Sequence, residues 1–397
     1  MQTFVSSLLA ILAGLFAIPV GIFFLEVLAA AVLGRRLPPQ RSSPDLRPRV
    51  AVLVPAHNES IGLLPTLADI KAQLLASDRM LVVADNCTDD TAAVAAAAGA
   101  EVIVRNDLNK IGKGYALEWG IRHLSADPPG VVVIIDADCR LADGSIDHLA
   151  ATCALTGRPA QGLDLMQAPD QSAINYQVAE FTWRVKNWVR PLGLSALGLP
   201  CHLMGTGMAF PWAVIRLAKL SSGQIVEDLN LGLDLAMAGS PPIFCPSAQI
   251  TSTFPISAAA GDRQRQRWEQ GHVDMILARA PRLIILAIVR RNLGLLALAL
   301  DLAVPPLVLL GLLTTGMLLL ASLAAWFGGS YAALVTSAAS FAALMTAVLV
   351  CWMLFGRDIL PVRVLWSVAP YALRKFGLYW RIVSGGRVSQ WIRTDRK

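Results

Sequence analysis

A chain of 397 residues that is 55% hydrophobic, with a mean hydropathy of +0.55, is too apolar for an ordinary soluble domain, so part of it is expected in lipid. Its formal net charge of +6 is not pooled into a tail or stripe, which argues against a nucleic-acid binder and for membrane topology as the source of the excess. Six scattered cysteines offer neither a C-x-x-C pair nor a zinc-like Cys/His spacing and read as reduced, mostly buried thiols facing the cytosol.

In chain order, the run from Phe4 to Leu33 is almost wholly apolar and long enough to span a bilayer, and Gly34-Arg35-Arg36 follow it. No Lys or Arg precedes the run, so it reads as a retained span rather than a cleaved signal. After it, "RVAVLVPAHNES" is a strand and polar loop, with a helical pattern over about 61–75. "RMLVVADNCTDDT" repeats the unit with an Ala-rich helix ended by Gly99, and "EVIVRND" with "KGYALEWGIRHL" repeats it again. "GVVVIIDADC" is a fourth, deeply buried strand. Continuously apolar strands alternating with helices predict an α/β domain whose mostly parallel sheet is covered on both faces. There is no G-x-G-x-x-G after a strand, and "IGKGY" lacks the upstream glycine and Ser/Thr of a P-loop, so the dinucleotide and P-loop ATPase readings are set aside.

Towards the C-terminus, apolar runs cover Leu293–Phe327 and Tyr331–Phe355, with Gly328-Gly329-Ser330 as the turn between them. The arginines at 35–36, 290–291 and 357 all fall on one side of three spans. The positive-inside rule then places the N-terminus outside and the middle of the chain in the cytoplasm. From Leu360 on, aromatic residues including Trp366, Tyr371, Trp380 and Trp391 mix with Arg363, Arg374, Arg387, Arg393, Arg396 and Lys397, a composition for helices lying in the interface. The organisation expected is a span in 1–34, a cytoplasmic domain in 45–290, two spans in 291–356 and a basic, aromatic segment in 357–397. Glu26 and Asp301 fall in or near the spans; they read as interface residues, the other option being a bundle interior or polar path.

Ligand sites in such sheets lie at the carboxyl ends of the strands, and here those ends carry Asn58-Glu59, Asp85 and Asp136-x-Asp138. Two carboxylates one residue apart repel unless a cation lies between them, and a divalent ion shared with a diphosphate would meet that need; an ordinary acidic loop is the plainer reading of D-x-D alone. "VEDLNLGLDLAMAG" reads as a helix opening at Glu227-Asp228, where acids stabilise a helix N-terminus in any case, yet one of them could also act as general base. Gly205-Thr206-Gly207 is either a tight bend or a close approach of backbone to ligand. In "RQRQRWEQGH", helical phasing puts Gln264, Arg267, Trp268 and Gly271 on one face, suited to a phosphate and a stacked ring, and leaves Arg263 and Arg265 off it.

In this order, P-A-H-N-E (55–59), D-N-C-T-D-D (85–90), G-K-G (112–114), D-A-D (136–138), G-T-G (205–207), E-D (227–228) and Q-R-Q-R-W (264–268) resemble the membrane-bound family 2 glycosyltransferases, which include cellulose, chitin and hyaluronan synthases and bacterial exopolysaccharide enzymes. The resemblance implies a GT-A fold and inverting transfer of a sugar from a nucleotide-diphosphate donor, a UDP-sugar by preference, to an acceptor hydroxyl. It implies that Glu59 and Asp85 hold the base and ribose, that Lys113 sits by the nucleotide or its phosphates, that Asp136 lies on the nucleotide and metal side, and that Asp138 binds Mg²⁺ or Mn²⁺ through the diphosphate. It further implies that Gly205, Thr206, Gly207 and Glu227 line the acceptor pocket, that Asp228 is the catalytic base, and that Gln264, Arg267 and Trp268 bind the diphosphate and the acceptor end. Three spans are fewer than polymer-extruding synthases carry, so a lipid-linked acceptor in cell-surface glycan synthesis at the inner membrane, or a separate export partner, is expected. A lipid glycosyltransferase of the ceramide type and a non-catalytic scaffold of a synthase complex are the alternatives.

Overall fold

The computed structural model describes residues 2–34, 47–170, 173–221, 226–329 and 331–383. Arg35-Arg36, Ser330 and the expected interfacial residues Arg387, Trp391, Arg393, Arg396 and Lys397 lie outside the described residues. The chain divides into two compact units, one made of Leu37–Gln167 and Leu199–Thr253, the other of Met1–Arg36, Ala168–Gly198 and Phe254–Lys397. Residues 168–198 and 254–290, grouped by sequence with the cytoplasmic domain, thus cluster with the apolar helices instead.

The first unit is built on strands β1 (Val50–Ala56), β2 (Arg79–Asp85), β3 (Glu101–Arg105), β4 (Val131–Ile134), β5 (Arg140–Leu141), β6 (Ala160–Gln167), β7 (Met208–Pro211) and β8 (Ile243–Thr253). They form one sheet in the order β3-β2-β1-β4-β7-β6-β8-β5. Strand β1 pairs in parallel with β2 and β4, and β2 with β3. The alternation of the pleat explains the unbroken apolar runs. Val50, Val52 and Val54 pack on one face with Leu63, Leu67 and Ile70, while Ala51 and Leu53 pack on the other with Leu117, Ile121 and Leu124. Full burial of a side chain such as Leu53 contributes about 1.5–3 kcal/mol, and the helix Lys113–Leu124 comes so close there that a Cβ on Gly120 would stand 2.4 Å from Leu53 Cδ1.

Beyond β4 the sheet is mixed: β7 runs antiparallel to β4 and β6, β5 runs antiparallel to β8, and β6 pairs in parallel with β8. The helical pattern expected over about 61–75 is a 3₁₀ turn, Ser60–Leu63, followed by the helix Leu64–Lys71. The opening at Glu227 holds: the helix runs Glu227–Met237, and Gly239 follows it at φ +92°.

In the second unit, three helices are long and apolar enough to cross a membrane: Ser6–Val32, Leu307–Trp326 and Tyr331–Phe355. The apolar run expected as one span over 293–327 is divided. Leu293–Leu302 is a separate short helix, and Pro305-Pro306 precede the helix that starts at Leu307, because proline has no N–H to continue a helical ladder. Asn292 caps the short helix by accepting from Leu295 N at 2.9 Å. Gly193, in the helix Arg190–Ala196, lies against the first apolar helix so closely that a Cβ would stand 2.0 Å from Glu26 O. Glu26 and Asp301 are both buried and both pair with Arg190. The C-terminal helix Val368–Val383 ties Lys375 to Glu269 at 2.6 Å.

Candidate active site

The ends of β1 and β2 turn through left-handed asparagines, Asn58 at φ +56° and Asn86 at φ +51°, a conformation asparagine tolerates better than most residues. The side chain of Asn58 accepts from Thr88 N at 2.7 Å, and the N–H groups of Glu59 and Ser60 both donate to Thr91 Oγ1 at 2.9 Å. These bonds fix Glu59 at the head of the loop. Asp85 is buried, and its carboxylate receives Arg105 Nη1 at 2.5 Å. Burial raises its pKa, and Arg105 offsets that only in part. Arg105, which the sequence reading did not single out, also donates to Lys110 O at 2.7 Å and stacks over Tyr115 at 5.5 Å.

Lys113 begins its helix after Gly112, at φ +140°. Its Nζ donates to Gly205 O at 2.6 Å and is ion-paired with Asp136 Oδ1. Burial pulls the ammonium down, but the carboxylates of Asp136, Glu227 and Asp228 outweigh it and hold the pKa above the usual lysine value. Lys113, Glu227 and Asp228 line one narrow pocket with Met208, Leu231 and Lys219. Lys219 is a further residue missed by sequence, since no local pattern marks a lone lysine between apolar residues.

At Gly205-Thr206-Gly207 the backbone turns through positive φ and runs close to neighbouring side chains. Gly205 sits at φ +93°, and a Cβ there would lie 3.3 Å from Asp228 Oδ2 and 3.9 Å from Lys113 Nζ. Thr206 is buried; its Oγ1 accepts from Asp136 N at 3.1 Å, and its carbonyl accepts from Gln161 Nε2 at 2.9 Å. Gly207, at φ +64°, leaves room for Ile250. Gly205→Ala is expected to cost about 1–3 kcal/mol of stability through the positive φ. It should also lower turnover by crowding Asp228, a combination read from thermal unfolding and initial rates together.

Glu227 stands at the pocket wall, where desolvation and the neighbouring Asp228 carboxylate push its pKa up to about 7 against the pull of Lys113. A raised carboxyl pKa favours the folded state at low pH, so this contribution is full below about 4.5 and fades as pH rises through about 7. Glu227→Gln is expected to remove that part of the pH dependence, checked by melting temperatures of both proteins between pH 5 and 8.

Asp136 and Asp138 are half-buried at the end of β4, flanking the buried Ala137. Among the described residues, no three His, Cys, Asp or Glu side chains gather as a ready metal cage. Two carboxylates at a strand end still fit a hard divalent ion of the kind that keeps several waters and completes its shell with substrate phosphates. All six cysteines are free, five buried and Cys87 half-buried; burial pushes the Cys139 thiol well up, so it stays protonated.

Gln264, Arg267 and Trp268 lie on the helix Ala258–Ala278 of the other unit. Gln264 is buried, and Arg267 and Trp268 are half-buried. Arg263 is exposed as expected, but Arg265 is not a peripheral side chain. It is 6% exposed and lies over the rings of Tyr176 and Phe254 at 5.7 and 5.8 Å. Phasing sets it off the Gln264 face; what phasing could not show is that Tyr176 and Phe254 lie against this second side of the helix.

Residues 48–271 match the profile described as "Glycosyltransferase like family 2". Two curated relatives, "Uncharacterized glycosyltransferase Mb0553" of Mycobacterium bovis and "Uncharacterized glycosyltransferase Rv0539" of Mycobacterium tuberculosis, are each 40% identical over 121 residues, 29% of this chain and 51% of theirs. The chain thus spans about half the length of the curated relatives it matches. Among solved structures, a mannosyltransferase from Pyrobaculum calidifontis in complex with GDP-Man and Mn²⁺ superposes with a TM-score of 0.51 at 18% identity, over 93% of this chain and 99% of that one, a likeness of fold. Together with the mixed sheet and the ordered motifs at its strand ends, these matches place the chain, with its GT-A fold, in glycosyltransferase-like family 2.

Proposed function

We propose that the protein is an inverting glycosyltransferase that moves a sugar from a nucleotide-diphosphate donor, a UDP-sugar by preference, to an acceptor hydroxyl at the cytoplasmic face of a membrane. One observation carries this reading: Lys113, Asp136, Glu227 and Asp228 converge beside the backbone of Gly205, leaving a pocket where an acceptor oxygen could meet a carboxylate. In the reaction, the acceptor oxygen attacks the anomeric carbon as the bond to the diphosphate breaks, Asp228 takes the acceptor proton, and the nucleoside diphosphate leaves with its electron pair. Glu59 and Asp85 hold the base and ribose, and Lys113 lies towards the phosphates. Glu227 and the 205–207 backbone shape the acceptor side. Mg²⁺ or Mn²⁺, held by Asp138 with Asp136 on the nucleotide side, supplies neutralisation of the leaving diphosphate when bound. Gln264, Arg267 and Trp268 attend the diphosphate and the acceptor end.

In the same reading, residues 45–290 carry the catalysis, the three long apolar helices anchor it with the N-terminus outside the inner membrane, and the segment from 357 lies in the interface. The product belongs to exopolysaccharide or another cell-surface glycan, with export left to a partner. The test is a screen of nucleotide sugars against the full chain in detergent with Mn²⁺ or Mg²⁺, following nucleoside diphosphate release and identifying the product by mass. Donor-dependent release with a glycosylated product supports the proposal, and silence towards every donor at millimolar concentration overturns it.

A further inference from the structure

Strands β2 and β3 end side by side, and their register sets Asp85 directly opposite Arg105. Side chains opposite one another in a parallel pair stand on the same face of the sheet. The consequence is a nearly buried contact: Arg105 Nη1 donates to Asp85 Oδ1 at 2.5 Å, with the two side chains 7% and 10% exposed. Asn86 Nδ2 reaches the same oxygen at 3.3 Å. Oδ2 receives no hydrogen bond from the described residues. The carboxylate is therefore one-sided, with Oδ1 filled by the protein and Oδ2 left for a ligand.

The guanidinium that fills Oδ1 is itself held in place. Its Nη2 donates to Lys110 O at 2.7 Å and lies 3.5 Å from Asp107 Oδ2, and its Cζ stands 5.5 Å from the centre of the Tyr115 ring. The backbone is tied as well, since Asn86 N donates to Arg105 O and Asp107 N to Asn86 Oδ1, each at 2.7 Å. A planar fork gripped by acceptors on more than one side does not swing away to free Oδ1, so the asymmetry of Asp85 is set before a donor arrives.

An ionised carboxylate has two oxygens and can receive a pair of parallel N–H donors. Guanine offers such a pair, its ring N–H and its exocyclic amine side by side, whereas uracil has one ring N–H between two carbonyl oxygens. An Asp85 with only Oδ2 open satisfies the uracil imide. Guanine would leave one N–H without an acceptor in a nearly buried site, and that unmade bond counts against it.

We propose that Arg105 determines which nucleotide the donor site accepts: by filling Asp85 Oδ1 it makes a single-acceptor carboxylate that takes uracil and rejects guanine. The inference rests on the transferase reading, in which Asp85 meets the donor's nucleoside, and deepens it by naming the residue behind the base preference. Arg105 acts through Asp85 and is a positioning residue, so its loss shows in selectivity rather than in the chemical step.

Equilibrium binding of UDP and of GDP to the full chain in detergent with Mn²⁺ gives the ratio that decides. The unaltered protein is expected to bind UDP tighter by about tenfold or more, the cost of one unmade buried hydrogen bond. In Arg105→Met both oxygens are open and the ratio should fall towards one, while Arg105→Lys, which keeps a cation beside Oδ1, should restore most of it. A variant that only unfolds in part weakens both nucleotides together and leaves the ratio alone. If Arg105→Met does not fold, the double variant with Asp85→Asn removes both charges and is compared with Asp85→Asn by itself. Asp85→Asn should lose the preference, and adding Arg105→Met to it should change the ratio no further. A preference that survives Arg105→Met, a further change in the Asp85→Asn background, or an unaltered protein that binds GDP as well as UDP overturns the assignment. If neither nucleotide binds, this inference falls, and the transferase reading falls with it only when the donor screen is silent as well.

Discussion

Asp228→Asn is expected to lower sugar transfer by about 10²–10⁴-fold, the usual contribution of a positioned general base, while leaving the affinity for the nucleotide-sugar donor close to that of the unaltered protein. The amide keeps the volume beside Gly205, where a Cβ would stand only 3.3 Å from Asp228 Oδ2, but it cannot accept the acceptor's proton. The substitution carries a second signature. The Asp228 carboxylate is one cause of the raised pKa of Glu227, so the variant should shift that titration downward and move the pH dependence of stability with it. Single-turnover rates with excess enzyme, donor-binding isotherms and melting curves across pH 5–8 give the three readouts. If transfer survives in Asp228→Asn and is lost in Glu227→Gln, the base is Glu227 and the assignment here is wrong.

Replacing Arg190 by Met is expected to destabilise the helical unit by about 3–5 kcal/mol, the range for removing one partner of a buried ion pair. Arg190 Nε donates to Glu26 Oε2 at 2.8 Å and Nη2 to Asp301 O at 2.7 Å, with a further bond to Asp301 Oδ1. Glu26 is 3% exposed and Asp301 7%, so losing the guanidinium leaves two carboxylates facing each other without water. Glu26→Gln should be mild by contrast, because one cation and one carboxylate remain balanced. Thermal stability in detergent, read by size-exclusion elution after heating, checks the asymmetry; equal losses in the two variants would show that the cluster is held by packing rather than by charge.

The parts of this architecture that follow a local period were open to reading. The strands at 50–56, 79–85, 101–105 and 131–134 announced themselves because both faces of a parallel sheet are buried, so every residue in the run must be apolar. The last long helix, Tyr331–Phe355, matches the expected residues because glycines bound it on both sides. Asp136, Asp138 and Glu227-Asp228 were legible as acids at the edge of apolar runs, although an acidic loop and a helix N-terminus account for such acids by themselves, and only their order among the other motifs set them apart.

What the sequence by itself determined is therefore the set of buried strands, the long apolar helices and the acids at the strand ends, each encoded within a few neighbouring residues by burial and spacing. Tertiary structure alone decided the antiparallel half of the sheet, since the direction in which β7 and β6 pair depends on long connections and not on their own composition. It alone brought Lys113 to Asp136, 23 positions away, and Gly205 to Asp228, 23 positions away as well. It also buried Arg265, which phasing had only set off the Gln264 face, because an amphipathic helix shows which residues share a face but not how many of its faces other segments will cover.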